Sequence, residues 1–188
     1  MKLAIFGGTF DPIHEAHVAV AREAAGRFDL ERILFIPAAH PPHKAGATHA
    51  SYADRLCMTG LACQADRRFE ASALEAGTVR SYSIDTIERL RATLAPADEL
   101  LFIVGADAFA EIRTWRRWRD VARLVRFVVV SRPGFVYDVP SEAAIERLDT
   151  VEMAVSSSAI RAALAGGGRP AAVPGRVLEY IIEHKLYA

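Results

Sequence analysis

The chain has 188 residues, of which 52% are apolar and 24% charged, so intrinsic disorder is excluded and the length suits one buried core. Lys and Arg together number 23, as do Asp and Glu, and this neutral balance excludes a general electrostatic attraction to nucleic acid or to anionic membranes. The sequence has no apolar run of membrane-spanning length, no signal-peptide pattern at its start and no ligand-like spacing of its two cysteines, so we expect a cytoplasmic protein.

Strand-like and helix-like segments alternate along the chain. The predicted strands are short runs rich in Val, Ile, Leu and Phe, at 2–6, 32–37, 69–73, 99–104 and 126–131. The predicted helices cover 16–28, 52–65, 83–94, 118–124, 156–165 and 174–185. Continuous apolar strands separated by helices indicate a parallel sheet that is covered on both faces. We therefore predict an α/β fold with a doubly wound, Rossmann-like parallel sheet and C-terminal helices, in a single domain over 1–188.

Glycine- and proline-rich segments follow four of the predicted strands, at 7–8, 37–44, 105–107 and 132–134. In doubly wound folds, ligands bind beyond the carboxyl ends of the strands. We therefore expect these segments to gather along one edge of the sheet and to form the binding site.

The segment after the first predicted strand combines a glycine turn with two histidines. Gly7-Gly8-Thr9-Phe10 leads into a helix whose first turn carries His14 and His17, and residues three apart share one helix face. A helix start attracts phosphate through free N–H groups and the helix dipole, and glycine allows the backbone to come close. We interpret the segment as a phosphate site. A zinc-peptidase site would need histidines four residues apart, and a pair of structural histidines is the other alternative.

Two later segments offer more groups for an anion. His43 and Lys44 follow two prolines and present cationic donors from a turn. The segment 156–161 places Ser156, Ser157 and Ser158 at a predicted helix start, with Arg161 on the following turn, which is a compact cradle for an anion.

Residues suited to a nucleotide also follow the strands in the second half of the chain. Asp107 comes two residues after the strand-end Gly105 and can accept hydrogen bonds from ribose hydroxyls. Arg132 can make a bidentate phosphate contact. A tryptophan most often packs in the core, and Trp118 is expected to do so. Ser83 is predicted as the N-cap of its helix.

Taken in order, these motifs resemble the nicotinate mononucleotide adenylyltransferase family, within the wider nucleotidyltransferases that carry His-x-Gly-His. The resemblance rests on the five segments 7–17, 41–44, 81–86, 105–115 with 132–134, and 156–161, and it extends to the last helix with Tyr180 and Tyr187. Ala16 stands where the family has glycine, at a position that the resemblance places against the nucleotide.

The resemblance implies that AMP is transferred from ATP to nicotinate mononucleotide, with release of pyrophosphate and with Mg²⁺ bound to the phosphates. It implies catalytic roles for His14 and His17, and a site for the nicotinate carboxylate at backbone N–H groups near Ser83. The implied ATP-binding residues are Gly7, Gly8, Thr9, Phe10, His14, His17, Gly105, Asp107, Ser156, Ser157, Ser158 and Arg161. The implied nicotinate mononucleotide-binding residues are His43, Lys44, Tyr82, Ser83, Trp115 and Arg132.

The attacking phosphate is already an oxyanion, so the expected reaction needs positioning and charge neutralisation rather than a protein nucleophile. No protein-only metal site, nucleic-acid partner or membrane partner is expected, and a homo-oligomer is compatible with the resemblance. The alternatives are another adenylyl- or cytidylyltransferase of this fold, such as the pantetheine-phosphate enzyme, and a nucleotide-binding sensor without catalysis. Pro-Pro-His-Lys and Ser-Tyr-Ser favour the nicotinate acceptor over the first of these, and Ala16 is the one feature that favours the second.

Overall fold

The computed structural model describes residues 1–40, 48–78, 80–131, 134–149 and 155–188. Its strands are β1 (Lys2–Gly8), β2 (Arg32–Pro37), β3 (Phe69–Ala71), β4 (Glu99–Gly105), β5 (Arg126–Val130) and β6 (Ile145–Leu148). Its α-helices are α1 (Glu15–Arg27), α2 (Tyr52–Cys63), α3 (Ser83–Arg91), α4 (Ala106–Ala110), α5 (Trp118–Leu124), α6 (Ser157–Ala165) and α7 (Gly175–Glu183), and a 3₁₀ turn covers Ile112–Thr114.

The six strands form one parallel sheet in the order β3-β2-β1-β4-β5-β6. The chain winds outward from β1 in one direction as far as β3, and then returns to add β4, β5 and β6 on the other side of β1. The winding therefore reverses between β1 and β4, which leaves a crevice beyond the carboxyl ends of these two strands. The predicted doubly wound, Rossmann-like fold is confirmed.

Alternate residues of the central strands pack into two apolar layers, one on each face of the sheet. Ala4 and Phe6 of β1 face the layer that contains α1, α2, α6 and α7. Leu3 and Ile5 face the layer that contains α3, α4 and α5. Burial on both faces explains why these strands read as continuous apolar runs rather than as an alternating pattern. Within the described residues, none of the helices is long and apolar enough to cross a membrane.

The element boundaries differ from the sequence prediction in a few places. Three short elements were not predicted: α4, the 3₁₀ turn and β6. The prediction that Ser83 caps α3 is wrong, because Tyr82 is the N-cap and Ser83 is the first helical residue. His14 is likewise the N-cap of α1 rather than a residue of its first turn. Tyr82 has extended backbone angles that end the preceding loop, and its side chain makes no capping hydrogen bond.

Candidate active site

Two cavities open at the reversal point of the sheet, and Gly105 at the end of β4 lines both. The first, called here the histidine cleft, has a volume of ≈ 570 Å³ and is lined by residues that include His14, His17, Asp107 and Phe135. The second, called here the tryptophan cavity, has a volume of ≈ 270 Å³ and is lined by residues that include Ser83 and Trp115. Gly7, Gly8 and Gly105 lie at the carboxyl ends of the adjacent strands β1 and β4 and line the tryptophan cavity together, as expected for strand-end segments that gather along one edge of the sheet.

The two histidines of the histidine cleft stack on each other. Their ring centroids are 3.7 Å apart and their planes differ by 28°. The backbone N–H of His14 donates to Nδ1 of His17 at 3.2 Å. A nitrogen that accepts a hydrogen bond carries no proton, so in the neutral ring the proton of His17 is on Nε2. His17 therefore offers Nε2–H as a hydrogen-bond donor.

Burial keeps both imidazoles uncharged near neutral pH. Burial lowers the pKa of His14 from 6.5 to about 4. Burial, and secondarily the adjacent His14, lower the pKa of His17 well below 6.5. A polyphosphate placed beside these rings would favour their protonated forms, because an opposite charge raises the pKa of a neighbouring base.

The turn between β1 and α1 supports His17 from below. Phe10 is buried, and its ring lies edge-on to His17 with centroids 5.1 Å apart. Gly8 has room only for a hydrogen at its Cα, because a Cβ there would lie 2.8 Å from Cε1 of Phe10. Phe10 thus packs against the ring of His17 in this structure, whereas Gly7, Gly8 and Thr9 line the tryptophan cavity.

The serine-rich start of α6 is fastened to the loop that precedes His14. Ser156 is the N-cap, and its hydroxyl accepts the N–H of Ala159 at 3.2 Å. The hydroxyl of Ser157 donates to the carbonyl of Pro12 at 3.0 Å, and Arg161 donates to the carbonyl of Asp11 at 2.7 Å. Arg161 also lies 3.3 Å from the hydroxyl of Ser158. The predicted phosphate motif at 156–161 is therefore bonded directly to the loop that leads to the histidine motif.

The tryptophan cavity combines an aromatic wall with the start of a helix. Trp115 packs against Phe102 with ring centroids 5.9 Å apart. Ser83 begins α3, where unpaired backbone N–H groups and the helix dipole attract an anion. Thr86, one turn further along α3, donates from its hydroxyl to the buried carboxylate of Glu75 at 2.9 Å.

Tyr82 lies beside the tryptophan cavity, in a neighbouring polar cavity of ≈ 500 Å³. Its hydroxyl accepts a hydrogen bond from Arg80 at 3.1 Å, and the guanidinium of Arg116 lies 4.8 Å from its ring centroid. Next to it, Ser81 exchanges two hydrogen bonds with the backbone of His40, at 3.0 and 3.1 Å. His40 therefore lies beside the Ser81–Ser83 motif.

Three predicted site residues, His43, Lys44 and Arg132, lie outside the described residues. Of the others, Asp107 and Ala16 line the histidine cleft, and Ala16 lies between the two histidines in sequence. Among the residues that the structure describes, no three His, Cys, Asp or Glu side chains group together as a metal site.

Sequence reasoning missed several buried polar residues around the site. Arg55 is fully buried and donates to the carbonyls of Thr9 and Ala38 at 2.7 and 2.8 Å. Glu75 is also buried and contacts the N–H of Ala39 at 3.3 Å as well as Thr86. The sequence carried no signal for either residue, because a charged residue in a helix or a turn normally faces solvent.

Comparison with known protein families gives a match over most of the chain. The family model described as cytidylyltransferase-like matches residues 5–163. A protein of Solibacter usitatus (strain Ellin6076), named probable nicotinate-nucleotide adenylyltransferase, is 66% identical over 187 residues, which is 100% of each chain. A protein of the same name from Geobacter sp. (strain M21) is 41% identical and covers 100% of this chain and 98% of its own.

Comparison with solved structures confirms the fold. Plasmodium falciparum nicotinic acid mononucleotide adenylyltransferase complexed with NaAD superposes with a TM-score of 0.80 at 17% identity, over 99% of this chain and 97% of that one. A putative nicotinate-nucleotide adenylyltransferase of Vibrio parahaemolyticus superposes with a TM-score of 0.70 at 18% identity, over 99% and 94% of the two chains.

Proposed function

The chain belongs to the cytidylyltransferase-like family and, within it, to the nicotinate-nucleotide adenylyltransferases, and from this premise we propose that it transfers AMP from ATP to nicotinate mononucleotide. The products are nicotinate adenine dinucleotide and pyrophosphate, in the biosynthesis of NAD. The observation that carries the proposal is the pair of cavities that meet at Gly105. One holds a phosphate-binding histidine pair and the other holds an aromatic ring with a helix start, as a donor and an acceptor nucleotide would require.

In the proposed reaction, a phosphate oxygen of nicotinate mononucleotide attacks the α-phosphorus of ATP. A new P–O bond forms to the acceptor, the bond between the α-phosphorus and its bridging oxygen breaks, and pyrophosphate leaves with the electron pair. Because the nucleophile is already an oxyanion, the chain has to align the two phosphates and stabilise the added negative charge.

The histidine cleft is our proposed site for the α-phosphate. His17 would donate from Nε2, and the stacked His14 would hold the ring in place and add a second donor. The start of α1 would contribute its dipole. Ser157, Ser158 and Arg161 would bind the outer phosphates of ATP, and Asp107 would contact the ribose.

The tryptophan cavity is our proposed site for the nicotinate group. Trp115 would stack on the pyridine ring, and the N–H groups at the start of α3, near Ser83, would bind the carboxylate. Tyr82 would close the pocket from its outer side. We further propose that His43, Lys44 and Arg132 bind the phosphate of the mononucleotide.

The donor set of the histidine cleft suits Mg²⁺ that arrives with ATP. Among the described residues that line the cleft, the one carboxylate is Asp107, our proposed contact for the ribose, so the phosphates of ATP and waters would hold the ion. Mg²⁺ is commonly held by substrate phosphates and waters with one or two protein carboxylates. When bound, the ion would supply charge neutralisation on the phosphates. We propose that the chain works as one domain over 1–188, in the cytoplasm, where its two free thiols stay reduced.

The experiment that tests the proposed function measures products. The chain is incubated with ATP, Mg²⁺ and nicotinate mononucleotide, and the dinucleotide and pyrophosphate are quantified together. Equal amounts of the two products are expected, with no release of pyrophosphate when the acceptor is omitted. Product formation with pantetheine phosphate in place of nicotinate mononucleotide would contradict the proposal and assign the chain to another activity of the same fold.

A further inference from the structure

A buried polar cluster lies beneath the nucleotide loops and has no part in the reaction described above. It consists of Asp11, Arg55 and Tyr187 and is called here the Asp11 cluster. Asp11 is 4% exposed and Arg55 is 0% exposed, whereas Tyr187 is half-buried. Charged groups are seldom buried unless other groups pair with them, so the contacts of this cluster indicate what it does.

The carboxylate of Asp11 is held by donors from two distant parts of the chain. Its Oδ2 accepts the N–H of His49 at 2.7 Å, and its Oδ1 accepts the N–H of Ala50 at 3.1 Å. The hydroxyl of Tyr187 donates to Oδ1 at 2.7 Å. Burial opposes ionisation of Asp11, but these donors and the nearby Arg161 hold its pKa below the ordinary value, so Asp11 remains a carboxylate.

The backbone at Asp11 also accepts hydrogen bonds from the predicted phosphate motif at the start of α6. Arg161 donates to the carbonyl of Asp11, and Ser157 donates to the carbonyl of the next residue, Pro12. Asp11 thus links Tyr187, which bonds to its carboxylate, to Arg161 in α6, which bonds to its carbonyl. It lies three residues before His14, so its position also sets where the histidine pair begins.

Arg55 lies near enough to Asp11 for their charges to interact, and its hydrogen bonds join two neighbouring loops. Its guanidinium bridges the carbonyls of Thr9, after β1, and of Ala38, after β2. The cluster therefore connects the glycine turn, the loop after β2, the segment before α2 and the start of α6. A change in its geometry would reach the ATP site through at least two of these connections.

We propose that Tyr187 is a positioning residue for ATP, which acts through the carboxylate of Asp11 to fix Arg161 and the loop that carries the histidine pair. The proposal rests on the proposed function, because it takes Arg161 and the histidine pair as groups that bind ATP, but it does not depend on which acceptor is used. Burial and the hydrogen bond to Asp11 raise the pKa of Tyr187, so its hydroxyl stays protonated as a donor.

The test compares two tyrosine-to-phenylalanine variants of the full chain. Tyr187→Phe removes only the hydroxyl that reaches Asp11. Tyr180→Phe is the matched control, because Tyr180 is also half-buried and donates to a carboxylate, Asp54, at 2.9 Å, away from both cavities. Binding of ATP with Mg²⁺ is measured by calorimetry, the KM of each substrate by steady-state kinetics and Tm by thermal unfolding.

Tyr187→Phe is expected to weaken ATP binding about tenfold, because the bond is made to a charged acceptor, and to leave the KM of the nicotinate acceptor within about twofold. Tyr180→Phe is expected to bind ATP as the unmodified chain does, although both variants lower Tm by similar amounts. Unchanged ATP binding in Tyr187→Phe, or equal losses for both substrates, would overturn the proposal.

A double-mutant cycle with Arg161→Ala tests the route of the effect. In the Arg161→Ala background, the further change Tyr187→Phe should weaken ATP binding by clearly less than the roughly tenfold loss expected in the unmodified chain, because one of the two groups that it positions is already absent. Independent losses that multiply would show that Tyr187 does not act through Arg161. ATP binding can be measured without an acceptor. If the chain binds ATP but makes no dinucleotide, the proposed function is wrong, and the double-mutant cycle still tests the role of Tyr187.

Discussion

At the scale of single residues, the stacked imidazoles of His14 and His17 are neutral donors in this structure. The backbone N–H of His14 donates a hydrogen bond to Nδ1 of His17, so the His17 ring can offer only Nε2–H to a ligand. A neutral donor binds a phosphate by hydrogen bonding and takes up a proton when negative charge increases beside it. This is the property that adenylyl transfer needs, since charge builds up on the α-phosphate in the transition state.

Replacing His17 should therefore abolish most of the turnover without unfolding the chain. Loss of one donor to a transition state costs about 10²–10³ in rate, and we expect His17→Ala to lower kcat by that factor. His184→Ala is the matched control, because His184 is an exposed histidine at the end of α7, outside the residues that line either cavity. A His17→Ala rate within about fivefold of the unmodified chain would refute the assignment.

The sequence predicted the histidines through their spacing and the adjoining glycines, and the structure places both in one cleft. The packing roles of Phe10 and Arg55 could not be predicted in the same way. A phenylalanine in a motif does not reveal whether it faces ligand or core. A fully buried arginine depends on the carbonyls of two loops, Thr9 and Ala38, that come together only in the folded chain.

At the scale of elements, the turn between β1 and α1 couples backbone geometry to the position of the His17 ring. The ring of Phe10 fills the space beside Gly8 and also contacts His17 edge-on. Phe10 is 2% exposed and has positive φ, so it cannot move outward freely. Any group added at Gly8 has to displace this ring and, with it, the support of His17.

We expect Gly8→Ala to lower stability by about 1–3 kcal/mol, as overpacking of a filled core does, and to lower kcat through the displaced His17. Gly7→Ala provides the comparison for stability, because a Cβ at Gly7 would lie 3.5 Å from Phe102, an ordinary contact distance. Urea unfolding of the two variants measures the difference. Equal losses of stability would show that the contact between Gly8 and Phe10 does not restrict this turn.

The strands and helices with long apolar patterns could be predicted, whereas the short elements could not. Helix α4 has five residues, too few for a 3.6-residue periodicity to appear. Strand β6 has four residues, of which Glu146 and Arg147 are charged, and it is the last strand in the order of the described sheet. Only its pairing with β5 identifies it as a strand.

At the scale of the whole molecule, one reversal of strand order produces both halves of the site. The order β3-β2-β1-β4-β5-β6 separates β1 from β4 at the point where the chain changes direction. The histidine cleft and the tryptophan cavity meet there at Gly105. The apolar strands and intervening helices were enough to predict this fold class and the edge at which the two cavities open. They do not encode which loop faces which cavity, because that depends on loop conformation.

Burial of the neutral histidines should make the free chain sensitive to mild acid. His14 has a pKa of about 4 in the folded chain and about 6.5 when unfolded, so the unfolded state binds more protons between these values. Its contribution to stability is complete above pH 6.5 and is lost as the pH falls toward 4. Between pH 7.5 and pH 5 we expect a loss of about 2 kcal/mol from this residue, with a further loss from His17.

Urea unfolding at the two pH values measures that loss. The variant His14→Gln should remove the contribution of His14, so its stability should change less between pH 7.5 and pH 5 than that of the unmodified chain. An identical pH dependence in the two proteins would contradict the buried, neutral state of His14.

The central claim is adenylyl transfer to a nicotinate acceptor, and a direct comparison of two acceptors tests it. Pyrophosphate release is measured with ATP and Mg²⁺, with nicotinate mononucleotide and nicotinamide mononucleotide offered in parallel. We predict a kcat/KM at least about tenfold higher for the acid, because the start of α3 at Ser83 would bind a carboxylate by charge-assisted hydrogen bonds that an amide cannot make. Equal or faster turnover of the amide, or release with neither acceptor, would contradict it.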